Sequence, residues 1–131
     1  MTSALIEMMQ RDTGCARVDG PALDDFLRPG GATALFIAGW HAKRPETGDV
    51  AVIFREMLLD FGTDLRGALV AKEAEPMVQQ RFKAPVVPCV VILRDGEPVA
   101  RLSGIRDWSD YVGAVRTAMA APDTGPDPVR H

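Results

Sequence analysis

The stretch VVPCVVILRDG, Val86 to Gly96, decides how the rest of the chain is read. Its apolar run from Cys89 to Leu93 has the composition of a strand buried on both faces. Asp95-Gly96 then favours a tight hairpin turn, because both positions accept positive φ. The run CVVILR therefore meets EPVARLS, Glu97 to Ser103, as an antiparallel neighbour. Val87-Pro88-Cys89 stands at the mouth of the first of these strands. Three readings are open for it: a redox site, a binding edge, or a bend in the chain.

Outward from the hairpin, helices and strands alternate. TALFIAG, Thr33 to Gly39, is continuously apolar and bounded by glycines, which suits a central strand. Val50, Ile53, Phe54, Met57, Leu58 and Phe61 recur at helical spacing behind Asp49, a candidate cap, and ahead of Gly62. LRGALVA, Leu65 to Ala71, reads as a further strand, and Pro76 opens a short helix with Val78 and Phe82 on one face. Before them, Leu5, Met8 and Met9 suggest a short first helix, CARVD a short strand, and Pro21 to Leu27 a two-turn helix stopped by Pro29-Gly30-Gly31. After the hairpin, Asp107 can cap a helix striped by Trp108, Tyr111, Val112, Val115 and Met119, with Trp108 facing the core. The tail from Pro122 to His131 is rich in Pro, Gly and Asp and is expected to be disordered. The order is a helix followed by β-α-β-α-β-α-β-β-α. It predicts an α/β fold with a mixed central sheet, as one domain over residues 1–121.

Composition narrows the function. The 131 residues are 47% hydrophobic, enough for one core. Fifteen Lys and Arg against eighteen Asp and Glu give a formal charge of −3 without a basic block, so nucleic acid is not an expected partner. No signal-peptide pattern opens the chain and no apolar run is long enough to span a bilayer. The expectation is a cytoplasmic protein with no membrane insertion. Cys15, Cys89, His41 and His131 are scattered, so neither a disulfide framework, a metal site nor a cofactor is expected. No phosphate loop or nucleophile elbow is present.

The element order, a proline just before the terminal hairpin, and Gly104 ahead of the last helix resemble the thioredoxin fold over residues 14 to 120. In that fold a strand like TALFIAGW leads into a loop carrying C-x-x-C, faced by a hydrophobic residue and a cis-proline. Val87-Pro88 matches the proline position. Between Trp40 and the long helix, however, stands HAKRPETGD, His41 to Asp49, with no cysteine. Two-thiol exchange cannot be run from that loop. Together with the extra N-terminal helix, Lys43-Arg44-Pro45-Glu46 and the Gly104-Ile105 to Trp108 step resemble the HupG/HyaE family of hydrogenase expression and formation proteins. The resemblance implies a maturation chaperone for the small subunit of nickel-iron uptake hydrogenases. It further implies binding of that subunit's twin-arginine signal peptide, with other maturation proteins as further partners. Cys89 departs from the family pattern.

The residues named for peptide or partner contact are Trp40, His41, Lys43, Arg44, Glu46, Asp49, Val87, Pro88, Cys89, Gly104 and Ile105; no catalytic residue is named. If the Val87-Pro88 bond is cis, the unpaired backbone of Val87 offers an extended peptide a strand-like edge. Otherwise Pro88 only shapes a packed loop. Arginine pairs bidentately with carboxylates, and Glu46 and Asp49 are the acids nearest that cleft. Each of the loop charges also reads as ordinary solvated surface. Trp40 reads as packing beneath the loop or as a face for a ligand. Cys89 reads as inert packing or, in a different function class, as a single reactive thiol with His41 as its base. A structural module that dimerises through the same edge is the third class.

Overall fold

The hairpin anchors a five-stranded sheet. In the computed structural model, which describes residues 4–40, 44–104 and 106–120, β4 (Cys89–Arg94) and β5 (Glu97–Ser103) pair antiparallel. The turn residues Asp95 and Gly96 take φ of 51° and 82°, the left-handed region that this turn requires. β2 (Ala32–Ile37) lies antiparallel to β4 and parallel to β3 (Arg66–Val70), and β3 also pairs in parallel with β1 (Ala16–Val18). The spatial order is β1-β3-β2-β4-β5.

Side-chain alternation divides the core. Ala34, Phe36, Val90 and Ile92 face one layer of helices, α1 (Ala4–Thr13), α3 (Thr47–Phe61) and α5 (Trp108–Ala120). Leu35, Ile37, Cys89, Val91 and Leu93 face the other, α2 (Gly20–Leu27) and α4 (Glu75–Arg81). All six β2 residues are buried, as a strand covered on both faces should be. Both parities are apolar because both faces meet helices.

The helices follow their apolar spacing with three corrections. In α1 the buried pair is Ile6 and Met9, while Leu5 is exposed, so the stripe is turned from the Leu5-Met8-Met9 face expected. α3 starts at Thr47, and Asp49 lies inside its first turn rather than capping it. The Thr47 hydroxyl donates to the Ala38 carbonyl at 3.0 Å, which ties the helix start to the end of β2. Trp108 is 42% exposed; α5 buries Tyr111, Val115 and Ala118 instead. The expected tail lies outside the described residues.

Tyr111 links the last helix to the sheet. Its ring is fully buried and its hydroxyl donates to the Gly104 carbonyl at 3.1 Å. Loss of solvation on burial pushes its pKa up to about 12, with the Arg106 charge working the other way. The folded state thus holds this proton more tightly than the unfolded chain, whose tyrosine titrates near 10. The stabilisation is complete below about pH 10 and is lost between about pH 10 and 12, an effect of about 2–3 kcal/mol. Urea unfolding across that window should show a steeper loss for the native protein than for Tyr111→Phe. Parallel curves would contradict the burial argument.

Candidate functional site

The site grows from the end of β2. Ala38 is buried, Gly39 turns at φ 81°, and Trp40 follows, partly buried against the α1/α3/α5 core. Glycine adopts this positive φ without the steric cost that a Cβ would bring. The N–H groups of Gly39 and Trp40 both point at one side chain. Glu75, the first residue of α4, accepts them on its two carboxylate oxygens at 2.9 and 3.1 Å. Glu75 is 3% exposed, and these charge-assisted bonds help offset the cost of burying its carboxylate. Neither the periodicity nor the motif search singled out Glu75. In sequence it is an acid in the first turn of a short helix, a position normally left to solvent.

The loop then delivers the chain to α3. Arg44 is exposed, and its carbonyl accepts the Thr47 N–H at 3.2 Å. Glu46 is the residue preceding the helix, and its carbonyl accepts the Val50 N–H at 3.0 Å. Glu46 is partly exposed and Asp49 exposed; three residues apart, they share one face of the first turn. The helix dipole favours carboxylates at this end. His41 and Lys43 lie outside the described residues.

Across from this loop stands the mouth of β4. Ile37, the last residue of β2, pairs with Cys89, the first of β4, so Val87-Pro88 enters β4 at the same end of the sheet from which Gly39 and Trp40 leave β2. The Val87-Pro88 peptide is cis. The Pro88 carbonyl accepts the Gly104 N–H at 3.0 Å, which extends the β4/β5 ladder by one bond. Val87 is half-buried, and its own N–H and C=O make no hydrogen bond to any described residue. Gly104, at φ 70°, has both backbone groups engaged, one with Pro88 and one with Tyr111. It shapes this corner and offers no free backbone group to a partner. Ile105 lies outside the described residues.

Cys89 does not belong to the exposed surface. Its side chain is 0% exposed, packed in the α2/α4 core, so contact with a peptide through the sulfur is ruled out in this conformation. Burial raises its thiol pKa, and the Ser103 side chain and the charges of Arg101 and Arg106 only oppose that shift. Cys15, partly buried, has its thiol raised for the same first reason. Among the described residues no group of three or more His, Cys, Asp and Glu side chains is placed to hold a metal ion. No helix among them is long and apolar enough to cross a membrane.

The end of β2 thus holds Trp40 through Glu75 and the start of α3 through Thr47, and Val87-Pro88 enters the paired strand β4 at that same end. Comparison with known proteins adds a family and a fold. Residues 5–111 match the family model described as Hydrogenase-1 expression protein HyaE. A hydrogenase expression/formation protein HupG of Rhizobium leguminosarum bv. viciae is 38% identical over 127 residues, covering 94% of this chain and 85% of that one. The crystal structure of a hydrogenase expression/formation protein hupG from Rhodopseudomonas palustris is 31% identical. It superposes with a TM-score of 0.56 over 80% of this chain and 95% of the other. A thioredoxin from Halobacterium salinarum, 18% identical, superposes with a TM-score of 0.66 over 82% and 92%. The thioredoxin-like fold is shared, and at that identity only the fold is.

Proposed function

The chain belongs to the HyaE family of hydrogenase expression proteins, with a role in hydrogenase maturation, and from that premise we propose that it is a non-catalytic cytoplasmic chaperone. It holds an extended segment of the immature nickel-iron hydrogenase small subunit, its twin-arginine signal peptide, against Val87-Pro88 and the loop from Trp40 to Asp49. The observation that carries this reading is the unpaired backbone of Val87 beside a loop that has no cysteine. An extended peptide that adds there gains two backbone hydrogen bonds, each netting about 1 kcal/mol. Glu46 and Asp49 supply carboxylates for guanidinium groups, and Trp40 supplies an apolar flank. Capture of the small-subunit precursor by immobilised protein tests it. Precursor should be retained and the same subunit lacking its signal segment should not; equal retention of both would point to the folded subunit as client.

The competing reading, thiol chemistry at Cys89, has its burial and raised pKa against it, since the reactive form is an accessible thiolate. In a Cys15→Ser variant, Cys89 should react with a thiol reagent at neutral pH only after unfolding. Stoichiometric labelling of the native variant within minutes would restore the enzyme class.

A further inference from the structure

We infer that Glu75 is the positioning residue of the peptide site, a carboxylate that fixes the Gly39-Trp40 turn in the geometry the client meets; this rests on the peptide-holding reading above. Two successive backbone N–H groups, that of the positive-φ glycine and that of the residue after it, form a concavity suited to an anion. Here the anion is internal, contributed by a helix 36 residues away in sequence, with one oxygen for each N–H. The arrangement does more than satisfy two buried donors. It joins the start of α4 to the end of β2, while Thr47 joins the start of α3 to Ala38 one residue earlier. Gly39 and Trp40 are thereby held from below by α4 as the loop departs toward α3. Val87 leads into β4 at the end of the sheet where Ile37 pairs with Cys89, the end from which Gly39 and Trp40 depart, so the backbone that Glu75 holds lies at the same end of the sheet as the unpaired edge. Without the carboxylate, Gly39 and Trp40 lose the bonds that fix the turn leaving β2.

The chemistry also says why the residue is an acid. A glutamine of the same shape keeps one acceptor oxygen and presents an NH₂ where the second oxygen was, so one of the two N–H groups meets a donor instead of an acceptor. Glu75→Gln should therefore remain folded yet release the turn. Its test uses 15N-labelled protein and a synthetic peptide carrying the twin-arginine signal segment of a nickel-iron hydrogenase small subunit from the same organism. In Glu75→Gln the Gly39 and Trp40 amides should exchange with solvent at least tenfold faster than in the native protein, and the peptide Kd should rise about tenfold or more. Ile6→Ala serves as a comparison, since it lowers stability from α1, on the face of the sheet opposite α4, and leaves the Glu75 carboxylate in place; it should leave both readouts near native. Unchanged Gly39 and Trp40 amides in Glu75→Gln overturn the inference whatever the peptide does. So does a Kd that rises equally in Ile6→Ala. Failure of the native protein to bind, with the amides released in Glu75→Gln, instead removes the peptide reading and leaves Glu75 a structural tie only.

Discussion

Phe54→Ala is expected to lower the unfolding free energy by about 3–5 kcal/mol, the range for truncating a buried phenylalanine where the surroundings cannot collapse. Phe54 is fully buried on α3, and its ring centroid lies 5.4 Å from that of Phe36 on β2, in a tilted contact. The same core holds Ile6 and Met9 from α1 and Tyr111 and Val115 from α5. Phe54 thus sits where three helices and the central strand meet, and no single neighbour can move in to fill the space. Leu59→Ala, on the same helix but 47% exposed, should change stability by less than about 0.5 kcal/mol. Denaturant midpoints for the two variants measure the contrast. A loss below about 1 kcal/mol for Phe54→Ala would mean that α3 is not packed on β2 in this way.

The largest effect on function is expected from reversing the two acids at the start of α3. Glu46→Lys with Asp49→Lys should weaken binding of the twin-arginine peptide about a hundredfold, since each charge-assisted pair is worth about 1.5 kcal/mol and reversal adds repulsion. Both carboxylates are accessible and neither accepts a side-chain hydrogen bond from the first turn of α3. Their replacement costs the fold only the dipole preference, about 0.3–1 kcal/mol each. Affinity and stability should therefore separate: a large change in Kd with a small change in midpoint. Isothermal titration alongside urea unfolding reads both. Native affinity in the double variant would remove these acids from the client surface.

The element order was legible because each element carries a strong local signal. Continuous apolar runs marked β2 and β4, helical spacing marked α3, and Asp95-Gly96 marked the hairpin. What escaped was set by tertiary contact. Short α1 has apolar residues at Leu5, Ile6, Met8 and Met9, so two stripes fit equally, and packing on α3 selects Ile6 and Met9. Thr47 and Gly48 are poor helix formers, so Asp49 looked like the cap; the helix begins at Thr47, whose hydroxyl bonds Ala38, rather than at Val50. Trp108 shares the spacing of Tyr111 and Val115, but it is the first residue of α5 and remains exposed.

The site was half legible for the same reason. The missing dithiol and the proline before β4 are local and could be read directly. Glu75 could not, because its hydrogen bonds to Gly39 and Trp40 span 36 and 35 residues. Cys89 was read both as a small hydrophobe and as a contact residue; the alternation that buries Val91 and Leu93 buries its sulfur too. At the proline-bounded edge the Val87 backbone is unpaired among the described residues, whereas the thiol that follows is buried.

The most direct measurement of the peptide-holding account is a titration of 15N-labelled native protein with the twin-arginine signal peptide, followed amide by amide. The account predicts saturable one-to-one shifts centred on Val87, Trp40, Glu46 and Asp49, with the Val87 N–H moving downfield as it gains an acceptor. Absence of any shift, or shifts confined to the outer edge of β5, would contradict it.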